Sequence, residues 1–188
     1  HSFNRTILRE YDIRGIVGET LFTEDARAIG RTFGTIVRRD GGKMIAVGRD
    51  GRLSSPALCA ALVEGLTSTW CDVIRIGIGP TPMLYFSEAV LSVDAGIQIT
   101  GSHNPANYNG FKMVFQHRPF FGQDIQTLGT MAQAGDWEEG SAGSEHVDIA
   151  DRYVARLLEG FDGAAYRIGW DAGNGAAGPI VEKLVKLL

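Results

Sequence analysis

Apolar residues in the first part of the chain alternate between a spacing typical of helices and short runs typical of buried strands. Residues 24–39 carry apolar side chains at helical spacing, with Thr23 as the candidate N-cap. Residues 43–48 form a short apolar run of the kind found in strands that are buried on both faces. Ser55 and Pro56 then predict the start of a second helix, because proline suits the first helical position.

The same alternation continues as far as residue 115 and predicts a sheet. Strands are expected over 73–78, 95–100 and 111–115, and a short helix over about 81–90. Strands that alternate with helices favour an α/β fold, with a mixed, mostly parallel sheet sandwiched by helices. In such sheets ligands bind beyond the carboxyl ends of the parallel strands, so residues at those positions are the candidates for function.

A change of composition separates this region from the rest of the chain. Residues 135–146 contain four carboxylates and no Val, Ile or Leu, which indicates a surface loop or a linker. We therefore predict a first domain over 1–146. The remaining 147–188 predict a helix over about 147–160, a strand over 167–170 and a last helix, which is too little for a core. They are interpreted as the incomplete start of a similar second α/β domain.

Composition narrows the class of protein. The chain has 188 residues, of which 44% are apolar and 21% charged, and its formal net charge is −4 at pH 7. The apolar fraction excludes a disordered chain, and the lack of a Lys/Arg-rich block argues against a nucleic-acid partner. No apolar run approaches the length of a membrane span, so no membrane partner is expected. Cys59 and Cys71 are expected to be reduced thiols of a cytoplasmic protein.

Candidate chemistry is concentrated in one segment, residues 100–105 (Thr-Gly-Ser-His-Asn-Pro), directly after a predicted strand. Ser102 offers a hydroxyl, and His103 offers a neighbouring base that titrates near neutral pH. Gly101 lacks a side chain that would block a ligand from Ser102. The residues alone leave both a nucleophilic serine and an ordinary polar turn open. A serine hydrolase is disfavoured, because Asn104 stands where the Gly-x-Ser-x-Gly motif needs its second glycine.

Four segments together resemble the phosphohexomutase family, specifically its phosphomannomutase/phosphoglucomutase branch. They are residues 11–15 (YDIRG), 47–52 (VGRDGR), 100–105 (TGSHNP) with 109–112 (NGFK), and 171–175 (DAGNG). The TGSHNP segment followed by NGFK is the most specific of the four. The resemblance covers essentially the whole chain, and the phosphoglucosamine mutase branch is a poorer match at the serine segment.

The resemblance implies an isomerase that interconverts hexose 1-phosphate and hexose 6-phosphate. Ser102 would be carried as phosphoserine and would exchange its phosphoryl group with the sugar through a bound 1,6-bisphosphate. Glucose or mannose 1,6-bisphosphate is then the expected activator. The resemblance makes Ser102, His103, Lys112 and Arg14 the expected catalytic residues, and Tyr11, Arg14 and Lys112 the expected substrate-binding residues. Positioning and charge neutralisation dominate catalysis of this kind.

Two further arginines, Arg49 and Arg52, are candidate cations for the phosphate groups, because a phosphorylated serine and a phosphorylated substrate repel one another. Arg49 and its neighbour Asp50 are also candidates for a purely structural role, in which they bridge loops.

The resemblance also implies a Mg²⁺ ion in each active site. Its ligands would be a phosphate oxygen on Ser102 and the aspartates of an Asp-Gly-Asp-Gly-Asp type loop in the second domain. Carboxylate and phosphate oxygens suit this ion. The 188 residues contain no such loop. The expectation is therefore an amino-terminal part of a longer enzyme, inactive alone, whose metal-binding aspartates and sugar-selecting loops lie elsewhere. The choice between mannose and glucose stays open.

Two alternatives remain. One is a non-catalytic module that binds sugar phosphates. The other is a fragment of a nucleotide-dependent dehydrogenase, because Gly173, Gly175 and Gly178 fit the dinucleotide fingerprint. The charge of Asp171 before these glycines would oppose a pyrophosphate, which weakens the second alternative.

The last helix presents an apolar stripe. Its residues are Ile180, Val181, Leu184, Val185 and Leu188. Because an exposed apolar stripe of this size is unusual on a monomer, residues 165–188 are expected to pack onto the first domain or onto another copy of the chain.

Overall fold

The computed structural model describes residues 1–163 and 166–188. The strands are β1 (Ile13–Ile16), β2 (Met44–Arg49), β3 (Asp72–Ile78), β4 (Ala95–Ile99), β5 (Tyr108–Phe115), β6 (Arg118–Phe120) and β7 (Ser144–His146). The helices are α1 (Thr23–Arg39), α2 (Ser55–Thr67), α3 (Thr81–Val90), α4 (Gln123–Ala134), α5 (Ala150–Leu158) and α6 (Gly178–Val185).

All seven strands belong to one sheet in the order β1-β5-β4-β2-β3-β7, with β6 paired to β5. Strands β2, β3, β4 and β7 pair in parallel, while β5 runs antiparallel to its three neighbours. Among the described strands only β5 therefore runs against the common direction. The predicted α/β class with a mixed, mostly parallel sheet is confirmed.

Helices α1 and α2 cover the first face of the sheet, together with α4. Their shared apolar layer includes Phe33 of α1, Leu62 of α2 and Phe111 of β5, all fully buried. The two helices approach one another closely, because a Cβ at Gly65 would lie 2.2 Å from the carbonyl oxygen of Arg27. Only glycine fits at that contact.

Helices α3 and α5 lie over the second face. Met83 and Leu84 of α3 share a buried apolar cluster with Tyr153 and Val154 of α5. Helix α5 falls within the region predicted to start a second domain. The structure packs this helix into an apolar layer over the first sheet, and the assignment of 147–188 to a second domain stays a prediction.

The segment predicted as a linker, residues 135–146, is fastened to the sheet. The Trp137 indole donates to the hydroxyl of Thr32 at 2.9 Å, and the Gly140 N–H donates to the Ser68 carbonyl at 2.8 Å. Its last residues form β7, which pairs with β3. The surface position of these residues agrees with the surface-loop alternative, and a role as a linker between domains stays a prediction. Side-chain and backbone hydrogen bonds to distant residues hold this segment, and they leave no trace in an apolar pattern.

Two further differences concern helices in the first part of the chain. The N-cap of α1 is Phe22 rather than the predicted Thr23. The Asp25 carboxylate accepts the Phe22 N–H at 2.8 Å, which is how an acidic residue in the first turn secures a helix start. Helix α4 is not among the elements that the sequence pattern predicts.

The strand predicted over 167–170 is wrong. These residues have no strand conformation, and Ile168 and Trp170 are exposed. A strand needs a neighbour to hydrogen-bond with, and none of the described segments lies beside this one. In α6, Ile180 is buried and Leu184 is partly buried in the second-face cluster. Part of the C-terminal stripe thus packs onto the first sheet, whereas association with another copy stays a prediction.

Cys59 and Cys71 are free thiols, and burial raises the pKa of both. None of the helices in the described ranges, 1–163 and 166–188, is long and apolar enough to cross a membrane.

Candidate active site

The segment 100–105, called the serine loop below, follows β4 at the edge where the parallel strands end. Ser102 is exposed, and its backbone has a φ of 54°, which residues other than glycine rarely adopt. Its N–H donates to the Thr100 hydroxyl at 2.9 Å, and its Oγ lies 3.3 Å from Nδ1 of His103. The turn thus presents the hydroxyl to solvent with a histidine beside it.

Arg52 holds the shape of this loop. Its guanidinium donates to the carbonyl oxygens of Ser102 at 3.1 Å and Asn104 at 2.7 Å. It also donates to those of Pro105 at 2.6 Å and Tyr108 at 3.0 Å. Four carbonyl groups therefore depend on a single side chain. Its terminal nitrogens are engaged with the backbone, so these contacts support a structural role for Arg52, and its role as a cation for phosphate stays a prediction.

Asp50 joins the loop after β2 to the serine loop. One carboxylate oxygen accepts the Gly101 N–H at 3.0 Å and Nε of Arg52 at 3.2 Å. The other accepts the Ser55 hydroxyl at 2.6 Å. The expected bridging role of Asp50 is confirmed. A Cβ at Gly101 would lie 2.2 Å from Cζ of Arg52, so the glycine makes room for this arginine rather than for a ligand.

The buried carboxylate of Asp12, which directly precedes β1, connects two of the predicted cations. The register pairs Arg14 with Gly110 and Ile13 with Phe111, so alternation places Asp12, Arg14 and Lys112 on one face of the sheet. Asp12 is buried and accepts hydrogen bonds from both Arg14 and Lys112, the latter from Nζ at 3.2 Å. These three residues are called the Asp12 cluster.

The Asp12 cluster has an unused donor. The Arg14 side chain is 13% exposed, and its Nε is buried without a partner among the described residues. A buried donor without an acceptor costs about 1–3 kcal/mol, so such groups call for an explanation. The 31% exposed side chain of Lys112 makes this cluster suited to an anion that arrives from solvent.

The Asp12 cluster and the serine loop lie in neighbouring parts of the sheet. The Thr100 N–H donates to the Gly110 carbonyl at 2.9 Å, and Gly110 pairs with Arg14 on the next strand. The loop therefore begins about 10 Å from the Arg14 backbone, which is two strand spacings. Lys112 pairs with Gln98 of β4, which lies two residues before the start of the loop at Thr100.

An aromatic pair borders the Asp12 cluster. Tyr11 is 76% exposed and stacks on Phe121, with ring centroids 6.4 Å apart and planes at 22°. Such rings offer an apolar face to a ligand. Of the predicted site residues, the structure thus brings Arg14 and Lys112 together on Asp12, while Tyr11 precedes Asp12 in the chain and Ser102 and His103 belong to the loop.

The sequence pattern did not predict two contributions to the site, the shared carboxylate of Asp12 and the support of the loop by Arg52. Asp12 lies within the YDIRG segment, and strand alternation would have placed it on the same face as Arg14. Arg52 supports the serine loop through contacts with residues that are 50–56 positions away in the chain. No local sequence pattern predicts such contacts. Arg49 is turned away from the serine loop and lines a separate groove with Arg75.

The described residues offer no group of three or more His, Cys, Asp or Glu side chains that could hold a metal ion. The carboxylate of Asp12 is already engaged by two cations. The side chains of these ranges therefore do not fit a Mg²⁺ site by themselves.

The chain was compared with known proteins. A family model described as Phosphoglucomutase/phosphomannomutase, alpha/beta/alpha domain I, matches residues 5–137. A phosphomannomutase/phosphoglucomutase of Pseudomonas aeruginosa is 41% identical over 184 residues, covering 97% of this chain and 40% of that protein. A phosphoglucomutase of Neisseria meningitidis is 39% identical over 188 residues, covering 98% of this chain and 41% of that protein.

A solved structure shows the same fold. The crystal structure of a phosphoglucomutase/phosphomannomutase family protein from Burkholderia thailandensis matches with a TM-score of 0.88 and 41% identity. The match covers 98% of this chain and 42% of that one.

Fold and loop together define an α/β domain that presents a serine at the carboxyl edge of its sheet. The chain belongs to the phosphoglucomutase/phosphomannomutase family, as its resemblance predicts, because the family model covers most of its residues. The chain spans about 40% of the length of the curated relatives it matches.

Proposed function

We propose that Ser102 carries a phosphoryl group in an enzyme that interconverts hexose 1-phosphates and hexose 6-phosphates. The observation that carries this proposal is the exposed Ser102 hydroxyl, held in an unusual backbone conformation with a histidine 3.3 Å away. Backbone strain of this kind clusters at functional sites. The names of the relatives, phosphomannomutase and phosphoglucomutase, supply the class of reaction.

In the loading step, Oγ of Ser102 attacks a phosphorus atom of a hexose 1,6-bisphosphate. A P–O bond to Oγ forms while the P–O bond to the sugar oxygen breaks. The hydroxyl proton leaves Oγ, for which Nδ1 of His103 is the nearest base, and the sugar oxygen takes up a proton. In turnover the phosphoserine donates this phosphoryl group to the free hydroxyl of a hexose monophosphate, which forms the 1,6-bisphosphate and frees Oγ. Oγ of Ser102 then takes the phosphoryl group from the other position of the sugar, and the isomeric monophosphate is left. Positioning and charge neutralisation supply most of the catalysis in such reactions.

The cations of the Asp12 cluster neutralise the phosphate groups in this proposal. Phosphoserine carries about −1.5 to −2 charges at neutral pH, and the substrate phosphate adds more. Asp12 acts as a positioning residue, because its carboxylate accepts from both Arg14 and Lys112 and so restricts two flexible side chains at once. The side chain of Lys112, which is 31% exposed, is the part of the cluster that an anion from solvent can reach. Tyr11 offers the sugar an aromatic face.

Mg²⁺ enters the proposal only as a partner of the phosphate on Ser102, since the described side chains do not form a site for it. Glucose or mannose 1,6-bisphosphate is the proposed activator, and both hexoses remain candidate substrates. A cytoplasmic location stays a prediction from composition.

The test uses the protein that contains this chain, incubated with glucose 1,6-bisphosphate and Mg²⁺ and then analysed by peptide mass spectrometry. We expect one phosphate, on Ser102, and its loss in Ser102→Ala together with the conversion of glucose 1-phosphate. Ser141→Ala, which alters an exposed serine outside the site, is the matched control. Turnover by Ser102→Ala at the wild-type rate would refute the proposal. Binding of hexose phosphate by a protein never phosphorylated on Ser102 would favour the non-catalytic module.

A further inference from the structure

A groove of about 580 Å³ lies between α2 and the β3–β7 edge, on the first face of the sheet. Val47 of β2 and Gly77 of β3 line it on the sheet side, and Cys59 and Val63 line it on the helix side. None of its lining residues belongs to the serine loop or to the Asp12 cluster. Its volume is typical of pockets that take small organic molecules.

Three basic side chains converge on this groove, from Arg49, Arg75 and His146. Arg75 pairs in register with Val47 on one side and with His146 on the other, so these positions share one face of the sheet. Arg49 lies at the end of β2, two residues beyond Val47. The groove therefore collects basic side chains from three neighbouring strands.

The two guanidinium groups keep donors for a ligand, although Nη1 of Arg49 donates to the Asp50 carbonyl at 3.4 Å. No ion pair within residues 1–163 and 166–188 involves Arg49 or Arg75. Among the residues that line the groove, only Glu64 carries a carboxylate, and Arg27 already binds it through two hydrogen bonds of 2.8 and 2.9 Å. On a chain of net charge −4, this is a local concentration of positive charge.

The thiol of Cys59, in the wall of the groove, lies within electrostatic reach of both arginines. Burial raises the pKa of this thiol, and the positive charges of Arg49 and Arg75 partly oppose that rise. Both guanidinium groups therefore act on the same atom in the wall of the groove.

We propose that this groove is a second anion site, which binds a small organic polyanion through Arg49 and Arg75. Guanidinium groups bind phosphate and carboxylate oxygens through paired hydrogen bonds, and two of them facing one cavity favour a ligand with more than one anionic group. His146, on the neighbouring strand, supplies a further donor. The site is separate from Ser102 and does not depend on the phosphoryl-transfer proposal.

The test is calorimetric titration of the chain with citrate and, separately, with inorganic phosphate, with ¹H–¹⁵N NMR shifts locating the bound anion. We expect saturable binding of both probes, competition between them, and shifts at the amides of Gly77 and His146. Arg75→Gln should weaken binding at least about tenfold, and Arg75→Lys should retain part of it. Arg156→Gln removes the same charge from an exposed position on α5 and should leave binding unchanged.

Three results would overturn the proposal. Equal weakening by Arg156→Gln and Arg75→Gln would show attraction to net charge alone. Loss of binding in Ser102→Ala, or shifts confined to the serine loop, would place the anion at the other site. Binding of an acidic peptide with no response to citrate or phosphate would assign the groove to a protein partner. Because wild-type NMR shifts locate the anion directly, the test does not depend on any variant folding.

Discussion

The serine loop and the Asp12 cluster contribute the two halves of the candidate site, and they are built in opposite ways. The loop has an exposed, irregular backbone that the side chains of Arg52 and Asp50 hold from outside. The cluster belongs to regular sheet structure, where register sets the backbone and one buried carboxylate fixes two cations. The comparison teaches that a nucleophile needs an accessible position on a shaped loop, whereas neutralising charges can be placed by a rigid sheet.

The largest loss of stability and activity is expected for Arg52→Ala, which removes the side chain that supports the serine loop. Loss of four hydrogen bonds to carbonyl groups should lower the free energy of unfolding by about 3 kcal/mol and abolish phosphorylation of Ser102. Urea denaturation and peptide mass spectrometry measure the two effects. Arg52→Lys should rescue little, because an ammonium group cannot reach four carbonyls in a fixed fork. Wild-type stability in Arg52→Ala would show that the loop holds itself.

Breaking the Asp12 cluster should cost less stability. Asp12→Asn leaves two cations without their shared carboxylate, and we expect a loss of about 2 kcal/mol in the free energy of unfolding. Turnover should fall more than the apparent affinity for hexose phosphate changes, because Arg14 and Lys112 would remain but lose their alignment. Steady-state kinetics separates kcat from KM. The exposed carboxylate of Asp162 provides the control Asp162→Asn. A pure KM effect would contradict a positioning role.

Glu88 contrasts with Asp12, because its side chain is also largely buried but is not paired with two cations. One of its oxygens is buried without a partner among the described residues, and His117 lies 4.0 Å from the other. Burial raises the pKa of Glu88, and the nearby charge of His117 partly opposes this rise. A raised pKa in the folded state means that stability is greatest below the ordinary value of 4.5 and is lost as the pH rises through the folded value.

Glu88→Gln should therefore raise the free energy of unfolding by about 1 kcal/mol at pH 7 and change it little at pH 4. Thermal denaturation at the two pH values tests the difference. Glu159→Gln alters an exposed carboxylate and serves as the control. Equal effects of Glu88→Gln at both pH values would contradict the raised pKa.

The smallest effect separates stability from function within the loop. Ser102→Gly should leave the free energy of unfolding unchanged or raise it by about 0.5 kcal/mol, because glycine adopts a positive φ without strain. Phosphorylation should be lost completely, since the hydroxyl is gone. Denaturation curves measured beside Ser102→Ala isolate the backbone effect. A clear loss of stability in the glycine variant alone would show that the conformation carries no strain.

Sequence patterns predicted the parts of this chain that local spacing controls. Helices α1 and α2 and strands β2, β3 and β4 follow from periodicity together with Ser55 and Pro56. The position of the serine loop follows from its place after an apolar strand. The resemblance correctly predicted the family. The roles of Tyr11, Arg14, His103 and Lys112 stay predictions, although the structure brings Arg14 and Lys112 to one cluster.

The remaining features depend on contacts between distant residues. Strand β7 is held by backbone hydrogen bonds that any sequence can make, so its composition suggested a linker. The pattern over residues 167–170 suits a strand, but a strand forms only beside a partner.

The sequence by itself determined the alternation of helices and strands and the location of the reactive serine, because periodicity and turn residues act over a few positions. Only the tertiary structure decided that Asp12 joins Arg14 to Lys112, that Arg52 supports the loop, and that Arg49 faces a different groove. Side-chain pairing depends on strand order and register, and these are settled by the packing of the whole sheet.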